Sequence, residues 1–529
     1  MRLLPLIFLS LSIPALAADF HAEVLDQDGK RLPARVYLQH DDGRWFFPRS
    51  ASAEGSAVYY KKERREKSVE MHTTLSAHPF TADLPAGKYT LTVERGKEYR
   101  PSVERFVAQD KTVRLKVKLE RWVNMASRGW FSGDTHVHRT LADLPNVMLA
   151  EDLNVAFPLT QWVTRAYDAP AKNLRGPDHN AGHELIQVDA THVIHPRNTE
   201  YEIFTVDDKP HMLGAVFVLN HQSSFPMGAP PVKPIADRAR KEGALLELDK
   251  HNWPWSMAIV PLMNVDLFEL TNNHLWRTWF AFTDWAEPAP PYMQVDYGGA
   301  QSTELGWVLY GYKNYYALLN CGFRMRPTGG TANGVHPVPL GFGRVYVHLP
   351  GGFNYTDWVR GLDAGRSFVT TGPMLLATAN GRPPGHRFRW EKPDTLRLRG
   401  SVLSEMPLRA IEIIVNGEVA ETLLPSHRKT KLGAHESPFD TTVQLATSGW
   451  VAVRCWEDRP EGRFRFAHGA PFHVDIPGRP LRPLKVEVEY LIKRVTDQIE
   501  RSKAVLPQAA ISEYEKALAI YREKARLAR

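Results

Sequence analysis

Gly129-Trp130-Phe131-Ser132-Gly133-Asp134-Thr135-His136-Val137-His138-Arg139 is the stretch on which the reading of this chain turns. Residues 130–138 read as a buried strand that ends in two histidines one residue apart. Side chains alternate faces along a strand, so His136 and His138 project to the same side, with Asp134 on that face just below them. The pair can offer two imidazoles to one metal ion. Imidazole is an ordinary ligand for zinc, and a bound ion makes hydroxide from water near neutral pH. With 21 histidines in 529 residues, chance alone gives a His-x-His pair roughly 0.8 times. The pair therefore takes its meaning from its context.

The rest of the chain sets that context. It opens with Met1-Arg2, an apolar run over residues 3–16 and Ala15-Leu16-Ala17, the pattern of a secretory signal peptide cleaved after Ala17. That run is too short to span a bilayer, and no later stretch is long and apolar enough. The expected destination is the periplasm or the outside of the cell. About 510 mature residues are enough for three or four domains with real cores. The two cysteines, Cys321 and Cys455, form no metal-binding pair. Net charge is +7, but Lys and Arg are interleaved with Asp and Glu, as in Lys61-Lys62-Glu63-Arg64-Arg65-Glu66-Lys67. Such a run is a solvated face and argues against a nucleic-acid partner.

Period-2 patterning marks both flanks as β. Val36 and Leu38 alternate with polar neighbours. Pro85-Ala86-Gly87 turns into Tyr89, Leu91 and Val93, and Val113, Leu115, Val117 and Leu119 alternate again. Several short strands with Gly and Pro turns predict a sandwich over 18–122. Further on, Ile411, Ile413 and Val415 run into Asn416-Gly417, a hairpin turn, and Val419 resumes beyond it. Between these flanks, helix-like stretches such as 232–243 alternate with β-like ones such as 244–248, the rhythm of a parallel α/β domain. Long loops over 167–195 and 285–305 interrupt that rhythm, and loops of such length in a compact domain are usually functional. Six of the 14 tryptophans fall within residues 253–307, a packing cluster before a substrate-stacking wall. In the tail, Val488, Leu491, Ile492, Val495 and Ile499, then Ile511, Tyr514, Leu518 and Tyr521, fall at helical spacing on either side of Leu506-Pro507.

Gly-Trp-Phe-Ser-Gly-Asp-Thr-His-Val-His closely resembles the opening strand of the CehA/McbA-like metallohydrolases, a branch of the PHP (polymerase and histidinol phosphatase) superfamily. The Leu84-Pro85-Ala86-Gly87-Lys88-Tyr89 turn resembles carboxypeptidase-regulatory-like domains. The resemblance implies a distorted α/β barrel whose metal centre sits at the C-terminal ends of its strands. Its later pieces match unevenly. Where relatives end a strand in Thr-Asp-His, this chain has Thr160-Gln161-Trp162. The family's bridging glutamate and the histidine after it correspond to Glu200 and His211, with Glu202 and Glu184 as alternatives to the first and His221 to the second. The next histidine corresponds to His251, preceded on the same face by Asp249, and the following strand leads to His274. Ala332 stands where the family's Gly-Gly-Ser-Asp-x-His motif has its aspartate, and His336 is displaced. The resemblance thus implies a site of Glu200, His211 and His251, a recognised open zinc arrangement. A weaker site would form from His136 and His138 sharing Glu200.

The expected architecture is multidomain. A signal peptide (1–17) precedes an N-terminal β-sandwich (18–122) and a PHP-type distorted barrel (123–380). A C-terminal β-sandwich (381–478) and a helical hairpin (479–529) follow. The expected function is an exported metal-dependent hydrolase, using a metal-bound hydroxide on an ester, carbamate or phosphoester. One or two divalent ions, zinc by ligand type, would be held by His136, His138, Glu200, His211 and His251. Asp249 or His274 would protonate the leaving group, and the substrate would be a small molecule or a saccharide. The rival is a barrel that has lost catalysis and serves as a binding or scaffold protein for polysaccharide. The missing ligands and the tryptophan cluster favour that rival.

Overall fold

The computed structural model describes residues 18–109, 111–172, 178–295 and 303–529; the expected signal segment, 1–17, lies outside them. The chain forms two compact units. Among the described residues, the first takes 18–60 together with Met71–Arg95 and Arg100–Glu120. The second takes Lys61–Glu70, Gly96–Tyr99 and Arg121–Arg529.

The first unit is built from two sheets. Ala34–His40 pairs antiparallel with Gly87–Glu94 in one of them, and Ala18–Leu25 lies between Phe80–Leu84 and Val113–Lys118 in the other. The alternation read from the sequence is what buries this core: Val36, Leu38, Leu91 and Val93 are fully enclosed. Phe20 from one sheet stacks on Phe106 from the other at 4.9 Å between ring centroids.

The second unit is organised by two sheet paths. One runs through Val155–Pro158, Trp130–Val137, Arg344–His348 and Ser367–Thr370, and continues into Phe464–Gly469, Gly449–Asp458 and Leu408–Val415. The other orders Gln161–Arg165, Thr199–Val206, Ala215–Leu219, Leu245–Leu248, Leu267–Thr271 and Arg326–Gly329. Parallel neighbours need a crossover, and helices supply it. Leu144–Ala150 carries the chain from Trp130–Val137 to Val155–Pro158. Ser256–Met263 and Glu304–Asn320 connect the last three strands of the second path. The helix Lys233–Glu242 shows why such segments fold locally: Pro234 sits in its first turn, Ile235, Ala236 and Ala239 are its buried face, and Gly243 ends it at a φ of 70°.

Trp130–Val137 is buried along its whole length. Its alternation is divided between two cores. Phe131 packs into the large cluster that holds Phe157, Val216, Phe217 and Trp358, whereas Trp130 points into the one that holds Tyr346, Phe368, Ile413 and Val453. The same sheet serves both cores because Ser367–Thr370 pairs directly with Phe464–Gly469. Both cores lie within the second compact unit. In its C-terminal part, Asn416 and Gly417 both take positive φ values, 49° and 93°, and join Leu408–Val415 to Glu418–Leu423, as the two-residue hairpin turn requires. The helices Lys485–Ser502 and Gln508–Leu527 bury Val488, Leu491, Val495, Ile511, Tyr514 and Tyr521. Cys321 and Cys455 are buried free thiols. Among the described residues, no helix is long and apolar enough to cross a membrane.

Two buried carboxyl groups hold the strand ends together. Asp134 accepts hydrogen bonds from the backbone of His136 (3.0 Å), Thr331 (3.2 Å) and Gly341 (2.9 Å), and from the Thr331 hydroxyl (2.6 Å). Burial nevertheless pushes its pKa up to about 6. Glu247, in the middle of Leu245–Leu248, accepts from the hydroxyls of Thr135 and Thr328, each at 2.8 Å. Burial pushes it up to about 8.

Both groups can be tested by unfolding. Asp134→Ala leaves several buried donors without an acceptor and is expected to lower the unfolding free energy by about 3–5 kcal/mol in denaturant titrations. Glu247 holds a proton in the folded chain up to about pH 8, but loses it near its ordinary value once unfolded. Its contribution therefore opposes folding increasingly as pH rises, by about 1.4 kcal/mol per pH unit up to the folded value. Between pH 6.5 and 8 the metal-free protein should lose stability, and Glu247→Gln should flatten that slope. A slope unchanged in the variant would show that Glu247 is not its source.

Candidate metal centre

The geometry starts from the end of Trp130–Val137. Ala332 donates its backbone N–H to the His136 carbonyl (2.7 Å) and His138 donates its own to the Asn333 carbonyl (2.8 Å). The chain after Arg326–Gly329 is thereby zipped onto the strand that carries both histidines. Gly330 is needed for this closeness, since a Cβ there would lie 2.3 Å from the Cβ of His136 and 2.8 Å from Oε1 of Glu269.

The two imidazoles converge, with Nε2 of His136 3.2 Å from Nε2 of His138. The Glu200 carboxylate, from Thr199–Val206, closes the group at 3.2 Å from His138 Nε2 and 4.0 Å from His136 Nε2. Zinc–ligand bonds of about 2.0–2.2 Å at a tetrahedral angle set donor atoms about 3.3–3.6 Å apart. The two imidazole nitrogens, and His138 Nε2 with Glu200 Oε2, stand at nearly that spacing, whereas the other Glu200 oxygen, Oε1, is farther from His136 Nε2. Both Glu200 oxygens are buried without a hydrogen-bond partner. A buried carboxylate in that condition is costly unless a cation meets it.

The surroundings favour ligation. Glu269 Oε2 lies 3.0 Å from His136 Nδ1. In the ligating tautomer Nδ1–H donates to Glu269 and Nε2 keeps its lone pair, the usual carboxylate–histidine–metal arrangement. Burial holds His138 down to about pH 4 and His136 well below its ordinary value, so both are neutral near pH 7, as ligands must be. Burial pushes Glu200 up to about 8, so without a cation beside it this carboxyl group holds a proton. The residues thus fit a divalent ion by distance, by unpartnered oxygens and by donor type. A second group, His136 with Asp249 and Glu269, is also close enough to be considered, but it would need the Nδ1 that faces Glu269.

Lys250 stands beside these groups. Its side chain is only 6% exposed, its ammonium pairs with Asp249, and it lies 3.4 Å from Glu202. Burial alone would lower its pKa, yet Asp249, Glu202 and Glu200 raise it. Trp162 donates its indole N–H to the other oxygen of Glu202 at 3.0 Å and sets its ring 4.7 Å from that of His138. A cleft of about 550 Å³ reaches this point, lined by His138, Leu159, Trp162, Asp178, Phe204 and Val335 among others.

The expected residues divide. His136, His138 and Glu200 come together. The expected site of Glu200, His211 and His251 does not assemble. His211 follows an exposed turn, and its Nε2 lies 3.2 Å from the Ser502 hydroxyl on the Lys485–Ser502 helix. The chain turns after Leu245–Leu248, so His251 faces the Glu304–Asn320 helix instead. Asn314 meets its Nδ1 at 3.0 Å, and the Trp307 and Tyr310 rings pack on it at 4.7 and 5.0 Å. Asp249 does approach the centre, 3.9 Å from His136 Nδ1, but Lys250 holds its other oxygen. His274 is stacked on Phe282 at 3.5 Å. Neither Asp249 nor His274 lines the cleft at His138.

The alternatives also resolve. Glu202 is tied to Trp162 and Lys250, and Glu184 is 90% exposed. His221 spends both ring nitrogens, on the Thr199 hydroxyl (2.9 Å) and the Ser223 carbonyl (2.8 Å). Glu247, Glu269 and Lys250 were not anticipated. Their signal was present in the sequence, since a charged residue inside or beside an apolar strand such as Leu-Leu-Glu-Leu or Leu-Phe-Glu-Leu-Thr must find a buried partner.

No protein-family model matches the chain, and no curated protein matches it. One solved structure, a two-domain protein from Bacteroides vulgatus containing a predicted PHP-like metal-dependent phosphoesterase, is similar over 65% of this chain and 94% of its own, at 12% identity and a TM-score of 0.30.

Proposed function

We propose that the chain is an exported metal-dependent hydrolase with a PHP-type barrel, related to the CehA/McbA-like enzymes, that cleaves an ester, carbamate or phosphoester. The observation that carries this reading is the buried group of His136 Nε2, His138 Nε2 and the otherwise unpartnered Glu200 carboxylate, the two nitrogens 3.2 Å apart, Oε2 3.2 Å from His138 and Oε1 4.0 Å from His136. The motif resemblance at residues 129–138 and the cleft that opens onto His138 support it. When bound, a divalent ion, zinc by donor type, supplies a Lewis acid and a strongly acidified water.

The chain's own residues do the rest. Glu269 fixes the tautomer and orientation of His136 by accepting its Nδ1 proton. The Trp162 ring walls His138 on one side. The cleft has the size of a small-molecule site, and Leu159, Trp162, Phe204 and Val335 give the substrate an apolar seat. Asp178 is the carboxyl group on the cleft wall and is better placed than Asp249 or His274 to protonate a leaving group. One of its oxygens is committed to the Leu141 N–H at 2.9 Å.

Elemental analysis of the purified protein tests this reading, together with chelation and turnover of a panel of ester, carbamate and phosphoester substrates. The expected result is a stoichiometric divalent ion whose removal abolishes hydrolysis. His138→Ala should lose the ion, Glu269→Ala should bind it about 10–100-fold more weakly, and His251→Ala should bind it as the parent does. A parent protein without stoichiometric metal would leave the non-catalytic binding protein as the better account. Mass spectrometry of exported protein, with Ala18 expected at the N-terminus, tests localisation separately.

A further inference from the structure

Lys250 has no assigned part in this centre, yet its position is unusual. It follows Asp249 directly, and its ammonium is enclosed between Asp249 and Glu202, the latter at 3.4 Å. The acid groups gathered near it are Glu200, Glu202, Asp249 and Glu269, all at most 6% exposed. A single divalent ion at His136, His138 and Glu200 leaves Asp249 and Glu202 outside its ligand set, and buried charge left uncompensated is costly. In a two-ion centre a second metal would meet that need. Here a resident ammonium takes that place instead.

The alternative second position is visible. Asp249 Oδ1 is buried without a hydrogen-bond partner and lies 3.9 Å from His136 Nδ1, and Glu269 Oε2 lies 3.0 Å from the same nitrogen. An ion there would be met by the Asp249 and Glu269 carboxyl groups without the imidazole, since a neutral imidazole has one lone pair and His136 uses it at Nε2 when it ligates in the first site. The other Asp249 oxygen is already taken by Lys250, which would stand as a like charge beside any cation placed in the group.

We infer that Lys250 stands in for a second metal ion, its ammonium neutralising Asp249 and Glu202 and thereby limiting the centre to one divalent ion. Lys250 is a positioning residue in this account, acting on the number of ions. The inference rests on the metal reading proposed above.

Metal stoichiometry tests it on the full chain. The parent, Lys250→Met, Lys250→Gln and Lys250→Arg proteins would be stripped, equilibrated with Mn²⁺ or with Zn²⁺, and analysed for bound metal, with circular dichroism to establish folding. One ion is expected in the parent and in Lys250→Arg, which keeps the charge. Two are expected in Lys250→Met and Lys250→Gln, and the Mn²⁺ forms should give the electron paramagnetic resonance signal of a coupled pair. One ion in a folded neutral variant overturns the inference and leaves the metal reading standing. Two ions in the parent also overturn it, whether or not the neutral variants fold. No ion in the parent overturns the metal reading itself.

Discussion

A carboxylate taken out of water must find donors, and Asp134 finds four of them on three separate pieces of chain. That requirement ties the end of Trp130–Val137 to the segment holding Thr331 and Gly341. The buried Arg344 in turn donates its Nε–H to the Gly341 carbonyl at 2.6 Å. The strand that bears the two histidines, the loop beyond Arg326–Gly329 and the start of Arg344–His348 are therefore one hydrogen-bonded knot. The convergence of His136 and His138 follows from it, because their backbone is gripped by Ala332 and Asn333 within that knot.

Around the knot the protein concentrates acid groups in a place where water cannot serve them. Each carboxyl group is answered differently: Asp134 by three amides and a hydroxyl, Glu247 by two threonine hydroxyls, Glu202 by an indole and an ammonium, Glu269 by an imidazole. Glu200 alone among these has neither oxygen in a hydrogen bond. That contrast gives the candidate centre its chemical sense, since the one carboxylate left over is the one facing two neutral imidazoles.

Much of this was legible in the sequence, for reasons that can be named. Period-2 alternation made the strands of the first unit readable, because those sheets bury one face. Asn416-Gly417 announced its hairpin because few residue pairs accept positive φ at both positions. His136 and His138 could be paired because a strand fixes the relation of residues two apart. Glu200 was harder, standing two residues from Glu202 on the same strand, and only the placement of Trp162 and Lys250 separates their roles.

Local pattern determined what each segment becomes: strands where branched and aromatic residues alternate, helices where Pro and Gly bound an apolar stripe, and a strand end with two imidazoles on one face. Tertiary structure decided which distant groups meet. The motif resemblance implies His211 and His251 as ligands, but the paths taken by their segments point them at Ser502 and Asn314. Glu269 and Lys250 lie 131 and 112 residues beyond His138 in the sequence, and no local rule says that they meet it. Alternation and capping act over a few residues, whereas the balance of buried charge is settled only after the sheets have closed around it.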